Sequence, residues 1–176
     1  MSPEADPGPH DAIDTSDLDA VFRRFAPYVA KIGARLLGRS DEVDDLVQDV
    51  FVDAIGGLRK LRDRAAIRGW LATVAVRHAR RRLRKRALWS LLGLDRGADL
   101  EDLVDGSCSP EARAEVLLVY RALDTVAADA RIAWMLFTVE GHGLDEVAVM
   151  CGFSRATAHR RITAAQTAVE AALHGA

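Results

Sequence analysis

The sequence predicts an all-α protein made of two small helical domains joined by a flexible linker. Three observations predict it. From Asp17 onward, apolar residues recur at helical spacing over most of the chain. No stretch alternates apolar and polar residues in the way a half-buried strand does. Residues 88–109 break the periodicity with glycines and a Ser-Cys-Ser run, the composition of a linker. The chain has 176 residues, of which 49% are hydrophobic and 28% charged. That is enough apolar side chain to bury a core and enough charge to keep the surface in water.

Residues 1–16 contain three prolines and little apolar surface, so they read as a disordered acidic tail. The first domain spans 17–87. Within it, Val43, Leu46, Val47, Val50, Phe51 and Ala54 fall at the i, i+3, i+4, i+7 spacing of an amphipathic helix. Ser40 reads as its N-cap and Gly56-Gly57 as its stop. The next helix begins near Ile67 and carries Ile67, Trp70, Leu71, Val74 and Ala75 on its apolar side. Trp70 and His78 sit with that side and read as packing residues. The linker covers 88–109. At its end, Ser109 and Pro110 have the signature of a capped helix start, which opens a second domain over 110–174.

The formal net charge of −2 conceals a segregation of sign. Residues 1–20 hold six acids and no Lys or Arg, and residues 40–53 again hold six acids and no Lys or Arg. Residues 59–86 then hold twelve Lys or Arg against the single acid Asp63. A charge run alone often marks only a solvated helix face. Placed on a helix at about 100° per residue, however, Arg77, Arg80, Arg81 and Arg84 gather within roughly a third of the circumference. Guanidiniums that close repel one another unless an anion lies between them, and phosphate suits their planar fork. Nucleic acid is the favoured partner. A membrane surface is disfavoured, because the apolar stripe is needed for the core of the domain itself.

The second domain carries a sharper pattern. In "LDEVAVMCGFSRATAHRRITAA", residues 144–165, Ala148 is the small residue where two helices approach. Gly152 follows where a turn needs positive φ. Phe153 is a turn hydrophobe, Ser154 caps the second helix, and Ala158 and Ile162 point inward. This is the layout of a helix-turn-helix. Ser154, Arg155, Thr157, His159 and Arg160, with Arg161 beside them, are of the type that reads base edges and phosphates in a major groove.

Taken in order, these segments resemble bacterial RNA polymerase sigma factors of the extracytoplasmic-function group in the sigma-70 family, which keep only sigma regions 2 and 4. "DEVDDLVQDVFVDAIGGL" is similar to the acidic helix of region 2. "IRGWLATVAVRHARRRLRKR" resembles the basic helix after it, and "VEGHGLDEVAVMCGFSRATAHRRITAA" the helix-turn-helix of region 4. The resemblance implies a docking site for core RNA polymerase, through its β′ and β subunits, on Asp44, Asp45, Leu46, Gln48, Asp49 and Asp53. It implies opening of the −10 promoter element by the basic helix and the loop before it, with Arg64, Arg77, Arg80, Arg81 and Arg84 as contacts. It implies reading of the −35 element by the helix from Ser154, and an anti-sigma factor as a further partner. The family often has Asn and Asp where Arg77 and Arg81 stand, which shifts the expected −10 contact toward phosphate.

Other readings remain open from the residues alone: a two-domain duplex-DNA regulator, or a degenerate sigma-like interaction module. An enzyme is not expected, since no phosphate-binding glycine loop, metal-ligand cluster or nucleophile-base pair stands out, and no cofactor is implied. Cys108 and Cys151 lack motif spacing and read as reduced thiols. With no signal-peptide pattern at the start and no apolar run of about 20 residues, the chain reads as cytoplasmic.

Overall fold

The computed structural model describes residues 18–58, 66–92 and 109–175. Among these residues it is all-α, with no strand. The tail at 1–16, Arg64, and most of the linker, including Cys108, lie outside the described residues.

Three helices form the first part of the chain. Helix α1 runs Leu18–Leu37, α2 runs Val43–Leu58 and α3 runs Ile67–Leu91. The expected apolar positions of α2, namely Val43, Leu46, Val47, Val50, Phe51 and Ala54, are all buried against α1 and α3. Val43 opens the helix one turn after Ser40, whose carbonyl accepts from the Val43 amide at 3.1 Å.

The glycine pair does not stop α2, which continues to Leu58. Gly57 is there for Trp70: a Cβ at Gly57 would lie 2.3 Å from the Trp70 ring. Gly56, one residue earlier, faces open space. The two glycines therefore predict opposite outcomes. Gly56→Ala should stabilise the fold by about 0.5–1 kcal/mol, the usual gain in a helix. Gly57→Ala should destabilise it by about 1–3 kcal/mol, because the methyl would overlap the partly buried Trp70 ring, which packs against the core and must shift to make room. Urea denaturation midpoints of the two variants should move in opposite directions.

Helix α3 also outruns expectation. It continues past Ala87 to Leu91 and exposes Leu88, Trp89 and Leu91 along its end. The linker expected from residue 88 therefore begins later: glycine first appears at Gly93, and local helix propensity carries "ALWSL" forward without a breaker.

After the linker come α4 (Pro110–Asp124), α5 (Ala128–Trp134), α6 (Leu144–Cys151) and α7 (Arg155–His174), with a π-helical turn at Met135–Val139 extending α5. Ser109 caps α4 as expected, its Oγ accepting from the Ala112 amide at 3.2 Å. Helix α7 lies across α4, α5 and α6. The Trp134 indole on α5 donates to Gln166 on α7 at 2.6 Å.

The two parts pack together, and the buried residues form one contiguous cluster. The contact is built around the C-terminal end of α1. Helix termini leave carbonyls without partners inside the helix, and here side chains from far along the chain supply them. Tyr120 donates to the Arg35 carbonyl at 3.1 Å. Arg131, buried on α5, donates to Leu36 at 2.9 Å and Leu37 at 2.7 Å. Gly38, with φ of 66°, ends the helix, and a side chain there would collide with both Arg131 and Tyr120. A further tie, Arg35 to Glu140, spans 2.6 Å.

Candidate docking and nucleic-acid faces

Helix α2 offers the first face. Asp44, Asp45, Gln48, Asp49 and Asp53 are all exposed. They divide into two sets. Asp49 and Asp53 turn toward α3, where Arg82 pairs with Asp49 at 2.6 Å and the buried His78 ring meets Asp53 at 2.8 Å. Asp44 and Asp45 make no ion pair among the described residues. Leu46 is a correction: it is fully buried, so it holds α2 to the core and presents nothing to a partner. Val50 is buried in the same way.

The exposed apolar groups are different ones. Phe22, Val52 and Ile55 are 42%, 67% and 46% exposed. With Leu18, Gln48 and Phe51 they line a groove of about 490 Å³ between α1 and α2, where the Phe22 and Phe51 rings meet edge-on at 4.8 Å. Leaving such residues in water forfeits burial worth about 25 cal/mol per Å², and a contiguous apolar patch rimmed by charge marks a binding surface. The sequence held a signal for this: Val52 and Ile55 are large apolar residues that fall off the buried stripe.

Helix α3 offers the second face. The four arginines of the ridge do not act together here. Arg77 and Arg81 are exposed and make no ion pair among the described residues. Lys85 continues their line at the same four-residue interval, with its ammonium 5.5 Å from the Trp89 ring centroid. Arg80 and Arg84 turn instead to the second part of the chain. Arg80 donates to the Cys151 carbonyl at 2.7 Å, and both reach Asp129.

The third face is the helix-turn-helix, α6 and α7. Gly152 adopts φ of 65° in the turn, as its position requires. The Ser154 Oγ accepts from the Thr157 amide at 3.2 Å and so caps α7. At the start of α6, Glu146 accepts from the Gly143 amide at 2.8 Å, a bond that lowers the carboxyl pKa. Ala148 and Ala158 are buried where the helices cross. Arg155, His159 and Arg160 are exposed on α7, with Arg155 paired to Asp145 at 3.0 Å. Thr157 is partly covered beside the cap. Arg161 turns inward to Asp129, and its guanidinium lies 4.3 Å from the Phe153 ring centroid. Cys151 is buried, and burial pushes its thiol up to about 11, far from a reactive thiolate.

No group of His, Cys, Asp and Glu suited to a metal ion occurs among the described residues. No described helix is long and apolar enough to cross a membrane.

The chain is similar to known proteins over most of its length. Residues 21–89, which carry the acid-and-apolar face and the cation row, match the family model described as Sigma-70 region 2. Over 153 residues the chain is 28% identical to the probable RNA polymerase sigma-C factor of Mycobacterium bovis, covering 83% of this chain and 74% of that protein. Over 158 residues it is 28% identical to the ECF RNA polymerase sigma factor SigM of Mycobacterium tuberculosis, covering 89% of this chain and 77% of that one. Its fold is similar to that of the sigma factor RpoE of Bartonella quintana, solved in complex with the anti-sigma factor NepR. The TM-score is 0.64 at 20% sequence identity, covering 90% of this chain and 98% of that one. A region 2 match over α1–α3, relatives that extend across the helix-turn-helix, and a similar fold over both make the chain similar to sigma factors of the extracytoplasmic-function group.

Proposed function

We propose that the chain is a sigma factor that brings core RNA polymerase to particular promoters and starts transcription there. One observation carries the reading: opposite charges stand on separate helices of one chain, acid with exposed apolar groups on α2 and cations on α3 and α7. The α2 face suits a basic helix pair on the polymerase, with Asp44, Asp45 and Gln48 meeting its cations and Val52, Ile55 and Phe22 burying its apolar side chains. Asp49 and Asp53 hold α3 in place beside that face and complete its negative field.

Opening DNA costs a few kcal/mol for each base unstacked. The row Arg77, Arg81 and Lys85, on the longest described helix, offsets that cost through phosphate contacts at the −10 element; Arg64, in the segment before that helix, joins them. At the −35 element α7 enters the major groove from its capped end. Ser154 and Thr157 fix the helix start against the backbone, and Arg155, His159 and Arg160 reach the bases. An anti-sigma factor is the further partner we assign, with the apolar groove of α1 and α2 as a surface it would cover.

The test is reconstitution. With core polymerase and a promoter library, the chain should direct run-off transcripts from a defined subset of promoters. Asp44→Lys with Asp45→Lys should abolish co-purification with core polymerase while circular dichroism stays unchanged, since both residues are exposed and neither pairs within the described fold. A library that yields no chain-dependent transcript would refute the reading. Undiminished co-purification of the charge-reversed protein would remove the α2 docking role.

A further inference from the structure

The chain has three tryptophans, and the fold holds two of them. Trp70 packs against the core and over Gly57, and the Trp134 indole is bonded to Gln166. Trp89 differs. It stands near the end of α3, is 46% exposed, and lies outside the set of residues packed against the core. A cavity of about 440 Å³ opens beside this end of the helix, between it and the α4–α5 connection. Leu83, Arg86, Ala87, Ser90 and Leu91 line the α3 side of that cavity, and Trp89 does not enter it. Neither the core nor the cavity accounts for a large aromatic ring here.

The cation row does. Arg77, Arg81, Lys85 and Trp89 follow one another at four-residue intervals, so they form one inclined row about 18 Å long. The three cations are exposed and make no ion pair among the described residues, and α3 contains no acid that could pair with them. The Lys85 ammonium lies 5.5 Å from the Trp89 ring centroid, within the reach of a cation–π contact, and so keeps the ring beside the row.

The two kinds of side chain recognise different parts of a nucleic acid. Phosphates are present on paired and unpaired strands alike, so the cations alone hardly distinguish them. An aromatic ring needs the face of a base. Inside a duplex both faces are covered by neighbouring pairs, whereas an unpaired base offers one. Every base has such a face, so stacking tolerates any sequence.

We propose that Trp89 is a base-stacking residue at the end of the cation row, and that it gives α3 a preference for unpaired over paired DNA. The inference deepens the sigma reading above and rests on it for the nature of the ligand. Stacking on Trp89 offsets part of the cost of unstacking a base, which phosphate contacts alone meet without favouring the opened strand. A membrane surface fits this helix less well. Its exposed large apolar residues are confined to Leu88, Trp89 and Leu91 at its end, while the cations extend about three turns back from them.

The test uses the full chain without polymerase, a fluorescein-labelled single-stranded oligonucleotide of mixed sequence, and the same oligonucleotide as a duplex. Trp89→Ala should weaken binding of the single strand about tenfold, within the range for loss of a stacked aromatic, and leave duplex binding unchanged. Its salt slope on the single strand should match wild type, since stacking releases no counterions, whereas Lys85→Ala should lower that slope by about 0.7. Trp89→Phe should keep most of the affinity; Trp89→Leu, apolar but without a π-face, should lose as much as Ala. Circular dichroism should not change, because the position is exposed; should the Ala variant lose helicity, the contrast between Phe and Leu carries the test. Equal losses on both probes overturn the proposal, as does full affinity in the Leu variant or failure of wild type to bind the single strand. A blue shift of wild-type tryptophan emission on vesicles of phosphatidylcholine and phosphatidylglycerol, without quenching by the oligonucleotide, would make Trp89 a membrane contact and overturn it too. Failure of the sigma reading would show separately, as absence of promoter-directed transcription with polymerase.

Discussion

Replacing Arg131 with Met should weaken the packing between the two parts of the chain by about 3 kcal/mol, the worth of two hydrogen bonds from a charged donor. Arg131 is 2% exposed and gives its Nε and Nη2 to the last carbonyls of α1, while its Nη1 pairs with Asp124 and its guanidinium faces the Tyr120 ring. Burial lowers its pKa, with Asp124 the largest influence in the opposite direction. Met preserves much of the stem and its apolar contacts but donates nothing. The bare carbonyls of Leu36 and Leu37 then gain by reaching water, which only separation of the two parts allows; Leu37 keeps one bond, from Arg86 at 3.0 Å. Urea unfolding followed by tryptophan fluorescence should resolve from one transition into two, since Trp70 reports on the first part and Trp134 on the second. A single transition at the wild-type midpoint would show that the interface does not depend on Arg131.

The second large effect concerns the free cation row. Arg77, Arg81 and Lys85 lie at four-residue intervals, about 6 Å apart along α3. Each phosphate contact contributes about 0.9 to the slope of log affinity against log salt. Changing all three to Ala should therefore flatten the slope of promoter binding by the holoenzyme by roughly 2.7, a loss of several orders of magnitude at low salt. Helicity should persist, because Ala is the best helix former and all three positions are exposed. Permanganate reactivity of the opened −10 bases should fall with it. An unchanged slope would mean that the row is solvated and touches no phosphate.

The character of each helix was legible in the sequence because periodicity and capping are local. The stripe of α2, the Ser109 and Ser154 caps, the positive φ of Gly152 and the inward set of Ala158 all follow from neighbours within a few residues. What could not be read depends on a surface from elsewhere. A helical wheel places Arg77, Arg80, Arg81 and Arg84 on one ridge, but it does not show that α5 and α6 cover one edge of that ridge. Asp129 lies 45 residues from Arg84 in a helix of seven residues, too short to show a period. Leu46 was misassigned for the converse reason: inside an acidic motif it reads as part of the motif, although its place on the stripe puts it in the core. Gly57 looked like a stop because glycine usually weakens helices, and only the Trp70 ring explains why it is there.

The trans-capping of α1 also has a consequence for biosynthesis. Leu36 and Arg131 are separated by 95 positions. At about 5–20 residues per second, a ribosome needs roughly 5–20 s to travel between them. Throughout that interval the first three helices can assemble on one another, since each of them packs against the other two, but the carbonyls ending α1 stay hydrated. The nascent chain therefore presents the basic face of α3 uncovered, with Asp129 not yet made.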